Sequence, residues 1–300
     1  MGVLGALERA GHPAALVDTG RFPSEASLTQ RFGDGPARWE FAFDGSRIDL
    51  ADCRVAWWRR PQSFTLDPGI ATDVAAWTYT ECHEAMAGMW AAIDAVWVNP
   101  PALDEAAHHK PYQLAVATEV GLPIPKTVVT NDPAVARAFA EELGIERTVY
   151  KTFLASEDHW RETRILRRDE LGLLDRVSLA PVIFQEYVPA EADVRVTVVG
   201  DELFPTAIRP APGGYDVDYR MDLAGATFSA TDLPLETERG LRALMERLGL
   251  VYGAIDLRRT ADGDVFLEVN PAGEWRFVEE RTAQPITEAM AALLMTLDGT

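Results

Sequence analysis

The stretch Tyr252-Gly-Ala-Ile-Asp256, continuing through Thr260-Ala-Asp-Gly263 into Val265-Phe-Leu-Glu268-Val-Asn270, decides the fold of this chain. Two apolar runs rich in β-branched residues flank an Asp-Gly turn, a pattern that predicts a β-hairpin. A three-residue loop over 261–263, with Gly263 at positive φ, would place Asp256 directly opposite Glu268. Asn270 would share the face of Glu268, because residues two apart on a strand point the same way.

Two carboxylates and an amide oxygen would therefore converge from adjacent strands. Like charges that face each other destabilise a sheet, so we expect a cation to neutralise them. Hard oxygen ligands suit Mg²⁺, which takes one or two protein carboxylates together with substrate phosphates. The alternative is a solvated hairpin edge with unrelated acids, which the apolar neighbours of Asp256 and Glu268 disfavour.

Lysine is rare in this chain, which has only Lys110, Lys126 and Lys151 among its 28 lysine and arginine residues. Where arginine is used so widely, a retained lysine indicates a site that needs a compact point charge, as phosphate binding does. Lys110 follows two histidines, and Lys151 ends the apolar run that starts at Thr148. Both are candidate phosphate ligands, although chance retention is the alternative for any single lysine.

Composition limits the class of protein. A length of 300 residues predicts about two domains, and a hydrophobic content of 47% with 25% charged residues is ordinary for a globular chain. The sequence has neither a bilayer-spanning apolar stretch nor the pattern of a signal peptide, and its two cysteines fit a reducing cytoplasm. The net charge of −19 argues against binding to nucleic acid or to an anionic membrane. A phosphate site would have to concentrate positive charge locally.

Periodicity and turn residues predict an α/β chain of short elements with a boundary near Pro100-Pro101. The expected helices are 4–10, 70–94, 104–120, 133–143, 235–248 and 285–296. The expected strands are 14–17, 38–43, 55–58, 96–98, 127–129, 149–153, 182–187, 194–199 and 203–208, in addition to the acidic hairpin. Helix 70–94 is expected to bury Trp77, Met86 and Trp90.

The order of these features resembles the ATP-grasp superfamily over residues 100–297. A lysine before a helix and a second lysine on a strand are followed by a Gln-Glu-Tyr-Val strand, an Asp-x-Arg strand and the acidic hairpin. Within the superfamily, four segments are most similar to the microviridin-type peptide maturases, or graspetide synthetases. They are Asp193-Val-Arg-Val-Thr-Val-Val-Gly200, the tail 268–282 that begins Glu-Val-Asn-Pro, Arg59-Arg-Pro61 and Pro125-Lys-Thr-Val-Val-Thr-Asn131. The RimK-like glutamate ligases are a more distant resemblance.

The resemblance implies an ATP-grasp fold, with two α+β lobes that hold ATP between them after a small N-terminal α/β domain, the pre-ATP-grasp domain. The expected division is 1–101 for this domain, 102–182 for the central lobe and 183–300 for the C-terminal lobe with the metal-binding hairpin. Because the sequence starts almost at helix 4–10, the family's first strand is expected to be missing or replaced.

The resemblance also implies the reaction. An ADP-forming ligase of this type passes the γ-phosphate of ATP to a carboxylate, and a hydroxyl or amine then displaces phosphate from the acyl phosphate. In the maturases, the carboxylates are Asp or Glu side chains of a ribosomal precursor peptide. Thr, Ser or Lys side chains attack them and close lactone or lactam rings. ATP and two Mg²⁺ are the implied cofactors, a peptide with leader and core is the implied partner, and the family often forms homodimers.

Nucleotide and metal ligands carry over to positions of this sequence. Lys110 and Lys151 would contact phosphates, and Asp193 would bind the ribose hydroxyls, with Glu191 as the second candidate. The adenine strand would consist of Gln185, Glu186, Tyr187 and Val188, with backbone groups of Glu186 and Val188 reading the base edge. The ligands of the two Mg²⁺ would be Asp256, Glu268 and Asn270.

The remaining assignments concern the reacting groups. Arg195 and Arg209, on the two arms of the 194–208 hairpin, would stabilise charge on the γ-phosphate and the acyl phosphate. Asp218 and Arg220 of the Asp-Tyr-Arg motif would lie beside the substrate carboxylate. A surface loop position stays open for Arg209, and a purely structural role stays open for Arg220. The loop 153–164 lacks glycine, and two alternatives stay open for it. Either the side chains of Ser156, His159, Arg161 and Arg164 contact phosphate, or the loop closes poorly and turnover is slow.

Two other functions stay open at this stage. One is a ligase that adds an amino acid to a peptide or protein terminus, whose product grows instead of losing one water per ring. The other is a non-catalytic module that binds ATP or a peptide, which the intact lysine and acidic motifs disfavour.

Overall fold

The computed structural model describes residues 2–153, 163–211, 213 and 217–299. Its α-helices are α1 (Val3–Arg9), α2 (Thr72–Ala92), α3 (Pro101–His108), α4 (Lys110–Glu119), α5 (Pro133–Leu143), α6 (Leu235–Leu248), α7 (Arg276–Thr282) and α8 (Ile286–Leu297). Its strands are β1 (Ala26–Gly33), β2 (Gly35–Phe43), β3 (Ser46–Asp49), β4 (Val55–Trp57), β5 (Val96–Val98), β6 (Thr127–Thr130), β7 (Thr148–Lys151), β8 (Arg164–Ile165), β9 (Val182–Glu186), β10 (Ala192–Val199), β11 (Glu202–Arg209), β12 (Thr227–Ala230), β13 (Tyr252–Thr260) and β14 (Gly263–Asn270). Runs of 3₁₀ turns lie at Thr19–Arg21, Ile145–Arg147, Arg168–Leu179 and Tyr219–Asp222.

The chain divides into two compact units, Met1–Ala102 with Thr287–Thr300, and Leu103–Ile286. The first unit has an antiparallel sheet of order β1-β2-β3 and a parallel pair, β4-β5. An Asp-Gly turn at Asp44 and Gly45 joins β2 to β3, with φ of 48° and 73°, as the twist of a tight hairpin requires. Phe41 of β2 packs with Met86 and Met89 of α2 in the core of this unit.

The second unit contains two antiparallel sheets. Strands β6-β9-β7-β8 form one sheet, against which α5 packs. Strands β12-β11-β10-β13-β14 form the other, and successive side chains of β10 point to opposite faces of this sheet. Its valines at 194, 196 and 198 share a core with Leu241 and Leu244 of α6. Asp193 and Arg195 therefore lie on the opposite face, which carries the charged residues described below.

Three local expectations were wrong. Residues 14–17 form no strand and instead line a cavity of about 510 Å³ beside β4 in the first unit. Trp77 of α2 is 63% exposed. It lies nine residues before buried Met86, which is two and a half helical turns, so the two side chains point to opposite sides of the helix. Residues 276–282, expected as loop, form α7.

The expected helix 104–120 is two helices, α3 and α4, separated at His109. Proline at position 111 lies in the first turn of α4, where its missing N–H leaves no hydrogen bond unmade. The break places Lys110 at the start of a new helix. This position brings Lys110 towards the acidic hairpin.

Among the described residues, no helix is long and apolar enough to cross a membrane. Cys53 and Cys82 are both free thiols.

Candidate active site

The acidic hairpin pairs β13 with β14 and places Asp256 opposite Glu268, as predicted. The route to this register differs from the prediction. Thr260 pairs with Gly263, so the loop has two residues instead of three, and a register shift after Asp256 inserts Leu267 as a β-bulge. Gly263 has the predicted positive φ, at 128°.

The amide of Gln113 in α4 fixes this helix against the hairpin. Its Nε2 donates to Val269 O at 2.7 Å and to Ala107 O at 2.5 Å, and its Oε1 accepts from Val269 N at 3.0 Å. Lys110 Nζ, three residues earlier, donates to Glu268 Oε2. Gln113 was missed from the sequence, because nothing local shows that a mid-helix glutamine will bond a strand more than a hundred residues away.

Lys151 of β7 faces the same carboxylate from the other sheet. Burial lowers the pKa of the Lys151 ammonium from 10.5 to about 8, against the opposing effect of the charge on Glu268. For Glu268, burial would raise the pKa of the carboxyl, but the positive charges of Lys110, Lys151 and Arg220 outweigh it and lower that pKa to about 2. Glu268 is therefore ionised at neutral pH.

Asp256 is held by two buried partners. Arg195 Nη1 donates to both of its carboxylate oxygens, at 2.9 and 2.7 Å, and the hydroxyl of Tyr219 donates to Oδ1 at 3.3 Å. Burial and the charge of Asp256 raise the pKa of Tyr219, which keeps its phenol protonated. A Cβ at Gly273 would lie 2.9 Å from Arg195 Nη2, so this glycine gives the guanidinium the room it occupies. The Asp-x-Arg pattern indicated Arg195 from the sequence, whereas Tyr219 and Gly273 were not singled out.

Asp218 and Arg220 form an ion pair with two side-chain hydrogen bonds. Arg220 donates to the two oxygens of Asp218 through Nε at 2.8 Å and Nη2 at 2.7 Å, and its backbone N–H donates at 3.2 Å. Thr163 N also donates to Asp218, at 3.4 Å. The hydrogen bonds that Arg220 donates to the Asp218 carboxylate raise the pKa of Arg220, so this side chain stays charged.

Asp193 pairs with a buried arginine that the sequence reasoning missed. Arg258, its register partner on β13, donates through Nη1 to Asp193 Oδ1 at 3.1 Å. Burial raises the pKa of Asp193 to about 6, and the charge of Arg258 opposes that rise. Arg258 Nε also donates to Val188 O at 3.0 Å.

The expected adenine strand is β9 and the residues that follow it. Gln185 is buried and donates to Thr127 Oγ1 at 2.8 Å, while the Glu186 side chain meets Arg147 at 3.4 Å. The backbone N–H of Glu186 donates to Lys126 O, so this group is already bonded inside the sheet. Of the expected base-reading groups, the N–H of Glu186 and the carbonyl of Val188 thus have protein partners.

One small cavity of about 100 Å³ collects most of these side chains. Its charged lining consists of Lys110, Lys151, Asp193, Asp218, Arg220, Asp256 and Glu268. Together with Arg195 and Arg258, the described residues bring five cations to four carboxylates, so positive charge is concentrated here in a chain of net charge −19.

Arg209, Glu191 and Asn270 are among the expected residues that do not line this cavity. Arg209 is exposed, lies 3.5 Å from Ser229 Oγ, and sits one position past Ile208, the register partner of Asp193. Alternation along β11 therefore turns Arg209 away from the face of Arg195. Glu191 is exposed, and Asn270 is exposed with its Oδ1 accepting from Ala272 N at 3.0 Å. Ser156, His159 and Arg161 lie outside the described residues, and Arg164 is exposed on β8.

The oxygen atoms present fit a magnesium ion. No group of three or more His, Cys, Asp or Glu residues suited to a metal occurs among the described residues. The expected set, however, contains two carboxylates, Asp256 and Glu268, with the amide Asn270. Carboxylate and amide oxygens are hard donors, and Mg²⁺ needs only one or two carboxylates when phosphate oxygens and water complete its shell.

The antiparallel lobes and the lysine-carboxylate cluster between α4, β7 and β14 define the ATP-grasp class of fold, as the sequence predicted. Two family models match this chain. The MvdD pre-ATP grasp domain matches residues 2–105, and the RimK-like ATP-grasp domain matches residues 107–294. Because the second match covers more than half of the sequence, the chain belongs to the RimK-like ATP-grasp family, with an MvdD-type pre-ATP-grasp domain before it.

Solved structures of peptide-modifying enzymes are similar over nearly the whole chain. The macrocyclase MdnC of Microcystis aeruginosa MRC, bound with the precursor peptide MdnA, is 30% identical with a TM-score of 0.87, covering 98% of this chain and 94% of that one. The ATP-grasp ligase PsnB, complexed with minimal precursor, Mg and ADP, is 26% identical with a TM-score of 0.78, covering 98% and 92%.

The similarity to curated relatives is shorter. A probable alpha-L-glutamate ligase 2 of Shewanella amazonensis (strain ATCC BAA-1098 / SB2B) is 31% identical over 116 residues. This match covers 36% of this chain and 38% of that relative, so the chain spans less than two fifths of its length.

Proposed function

We propose that this chain is an ATP-dependent, ADP-forming ligase that closes side-chain lactone or lactam rings in a ribosomal precursor peptide. The observation that carries the proposal is the cavity in which two lysines, two hairpin carboxylates and the Asp218–Arg220 pair meet. The chain around this cavity is similar over 98% of its length to the macrocyclase MdnC. Phosphoryl transfer needs mostly positioning and charge neutralisation, and this cavity supplies both.

Two ion pairs of the site contain cations that a nucleotide could engage. Lys110 pairs with Glu268, and Arg195 pairs with Asp256. We expect ATP phosphates to take over these cations and Lys151, while Asp256, Glu268 and Asn270 hold two Mg²⁺. The metal ions, when bound, neutralise charge on the phosphates. Each buried charge would then exchange one opposite partner for another, which avoids the cost of leaving a buried charge unpaired.

The base and sugar would lie beside β9 and β10. Gln185 to Val188 would flank the adenine, and Asp193, with Glu191 as the second candidate, would accept hydrogen bonds from the ribose hydroxyls. Arg209 would reach the acyl phosphate only if the 194–208 hairpin changed its orientation, so Arg195 is the stronger candidate for transition-state charge.

The substrate would present its carboxylate at Asp218 and Arg220. Arg220 is charged and oriented by Asp218, so it can bind a carboxylate of a peptide side chain. We expect a core with acidic residues and with Thr, Ser or Lys as attacking groups, behind a leader segment. The same proposal divides the chain into three parts, 1–101, 102–182 and 183–300. It also includes assembly of two copies of the chain into a homodimer.

A second candidate is a ligase that adds an amino acid to a peptide or protein terminus. It is favoured by the 31% identity to a probable alpha-L-glutamate ligase over 116 residues. Its product would be heavier by one residue, whereas ring closure removes one water per ring.

The test is mass spectrometry of a candidate precursor peptide incubated with the protein, ATP and Mg²⁺. Loss of one water per ring supports cyclisation, and reversal of that loss by mild base identifies esters. An unchanged mass, with ATP hydrolysed when free amino acids are supplied, would support the terminal ligase instead.

Glu268→Gln provides the matched variant for this assay. It removes the charge expected to bind metal and to balance Lys110 and Lys151, so we expect loss of modification with the fold retained by circular dichroism. Glu142→Gln is the control, because Glu142 pairs with Lys126 on the surface. Full activity of Glu268→Gln would overturn the metal assignment.

A further inference from the structure

Arg258 connects two segments of the candidate nucleotide site that come from different sheets. It lies on β13 in the C-terminal sheet and is 5% exposed. Its Nη1 donates to Asp193 on β10, and its Nε donates to the carbonyl of Val188, which follows β9 of the other sheet. Its guanidinium carbon also lies 5.5 Å from the ring centroid of Tyr187.

These three contacts use the geometry that only arginine offers. A planar guanidinium donates in two directions at fixed spacing while its face stacks on an aromatic ring. The carboxylate of Asp193 and the carbonyl of Val188 are thereby held at a set separation. A lysine ammonium in this place would keep the positive charge but would lack the planar pair of donors at fixed spacing.

We propose that Arg258 is a positioning residue for the nucleotide, which holds Asp193 and the Tyr187–Val188 segment together so that ribose and base are recognised as one unit. This inference rests on the proposed function, because it takes Asp193 as the ribose ligand. Arg258 would act through Asp193 and Val188 without contacting the nucleotide. A carboxylate already oriented by Arg258 would lose less freedom when it accepts a ribose hydroxyl.

The neighbouring arginine supplies a matched control. Arg259 contacts Asp264 at 2.9 Å and Thr231 Oγ1 at 3.0 Å, and it touches none of the groups that Arg258 bridges among the contacts of the described residues. Replacing either arginine by glutamine is the same chemical change one residue apart.

The experiment measures dissociation constants of ATP and 2′-deoxy-ATP by calorimetry with Mg²⁺ present. We expect the unaltered protein to prefer ATP by about tenfold, which corresponds to one hydrogen bond to a charged group. Arg258→Gln should reduce this preference to less than about threefold, while Arg259→Gln keeps it. The preference of Arg258→Lys for ATP over 2′-deoxy-ATP should lie between those of the unaltered protein and Arg258→Gln.

A double-mutant cycle guards against simple unfolding. Asp193→Asn removes the proposed ribose ligand, and adding Arg258→Gln to it should change the ATP preference little, because both act through one hydrogen-bonded unit. Equal losses of ATP and 2′-deoxy-ATP in Arg258→Gln, with the preference unchanged, would overturn the inference and indicate a structural role. If the unaltered protein binds no ATP, the proposed function itself fails.

Discussion

The side chain of Lys151 changes between its charged and neutral forms near physiological pH. Burial lowers its pKa to about 8, so the folded chain loses this proton well before the unfolded chain, whose lysine has the ordinary value of 10.5. Between these two values the unfolded state binds more protons, and the contribution of Lys151 to stability rises with pH. Phosphate binding has the opposite dependence, because it needs the ammonium.

We therefore predict that ATP affinity falls as the pH rises above about 8, approaching tenfold per pH unit if one proton is linked to binding. Lys151→Arg should bind ATP more weakly at pH 7, since arginine lacks the compact charge, but its affinity should stay level up to pH 9.5. The measurement is calorimetric titration with Mg-ATP across this range.

Lys126→Arg is the control for that experiment. Lys126 is exposed and pairs with Glu142 at 3.3 Å, so its replacement should leave the pH profile unchanged. A profile of Lys151→Arg that runs parallel to that of the unaltered protein would assign the titration to another group.

Single residues also show how far the sequence predicts the site. The sequence indicates Asp256 and Glu268 through the register of the predicted hairpin. It indicates Lys110 and Lys151 because lysine is rare in this chain. Gln113, Tyr219 and Arg258 were missed because their partners lie on other elements. Such contacts follow from tertiary packing, which no local periodicity encodes.

At the scale of elements, the acidic hairpin reached the predicted pairing by a different geometry. The two-residue loop alone would shift the register by one residue, and the bulge at Leu267 restores Asp256 opposite Glu268. A one-residue slip would otherwise turn side chains to the other face of the sheet. The alternation of side chains along each strand predicts which face of the hairpin is charged. The sequence does not reveal that a shorter loop is offset by a bulge, so that the register is kept.

Gly263 allows that short loop, and its replacement is a test at this scale. Its φ of 128° lies outside the range of other residues, although a Cβ there would meet nothing within 4 Å. Gly263→Ala should therefore destabilise the chain by about 1–3 kcal/mol through backbone strain alone. Chemical denaturation measures this loss.

Gly172→Ala is the matched control, since its Cβ also meets no atom and its φ is not positive. We expect it to leave stability unchanged or slightly raised. Equal stability of both variants would show that the hairpin loop adopts another conformation in solution.

At the scale of the whole molecule, the 3₁₀ segment Arg168–Leu179 presents exposed leucines and contributes no residue to the lining of the cavity. Leu174 and Val177 bury one side of it against the core around α5, while Leu173 and Leu179 are 52% and 83% exposed. Arg167, Arg168 and Arg176 are exposed beside them, and so are Asp169 and Asp175, which leaves the segment with both signs of charge. The two exposed leucines would favour the apolar face of an amphipathic segment.

We predict that the leader of the precursor peptide binds near residues 160–180, outside the ATP cavity. Substituting serine for both Leu173 and Leu179 should weaken binding of the full precursor by at least about tenfold, because fully burying even one leucine contributes roughly 1.5 kcal/mol or more. The same variant should bind a leaderless core peptide and ATP as before. Fluorescence anisotropy with labelled peptides separates these effects.

Leu235→Ser is the control for the leader experiment, since Leu235 is 60% exposed at the start of α6 and lies outside the proposed surface. An unchanged dissociation constant for the leaderless peptide relative to the full precursor would refute leader binding altogether. A weaker leaderless peptide with no effect of the leucine substitutions would place the leader on another surface. The two results separate the existence of a leader contact from its position, which is what distinguishes a peptide maturase from a ligase that recognises only a terminus.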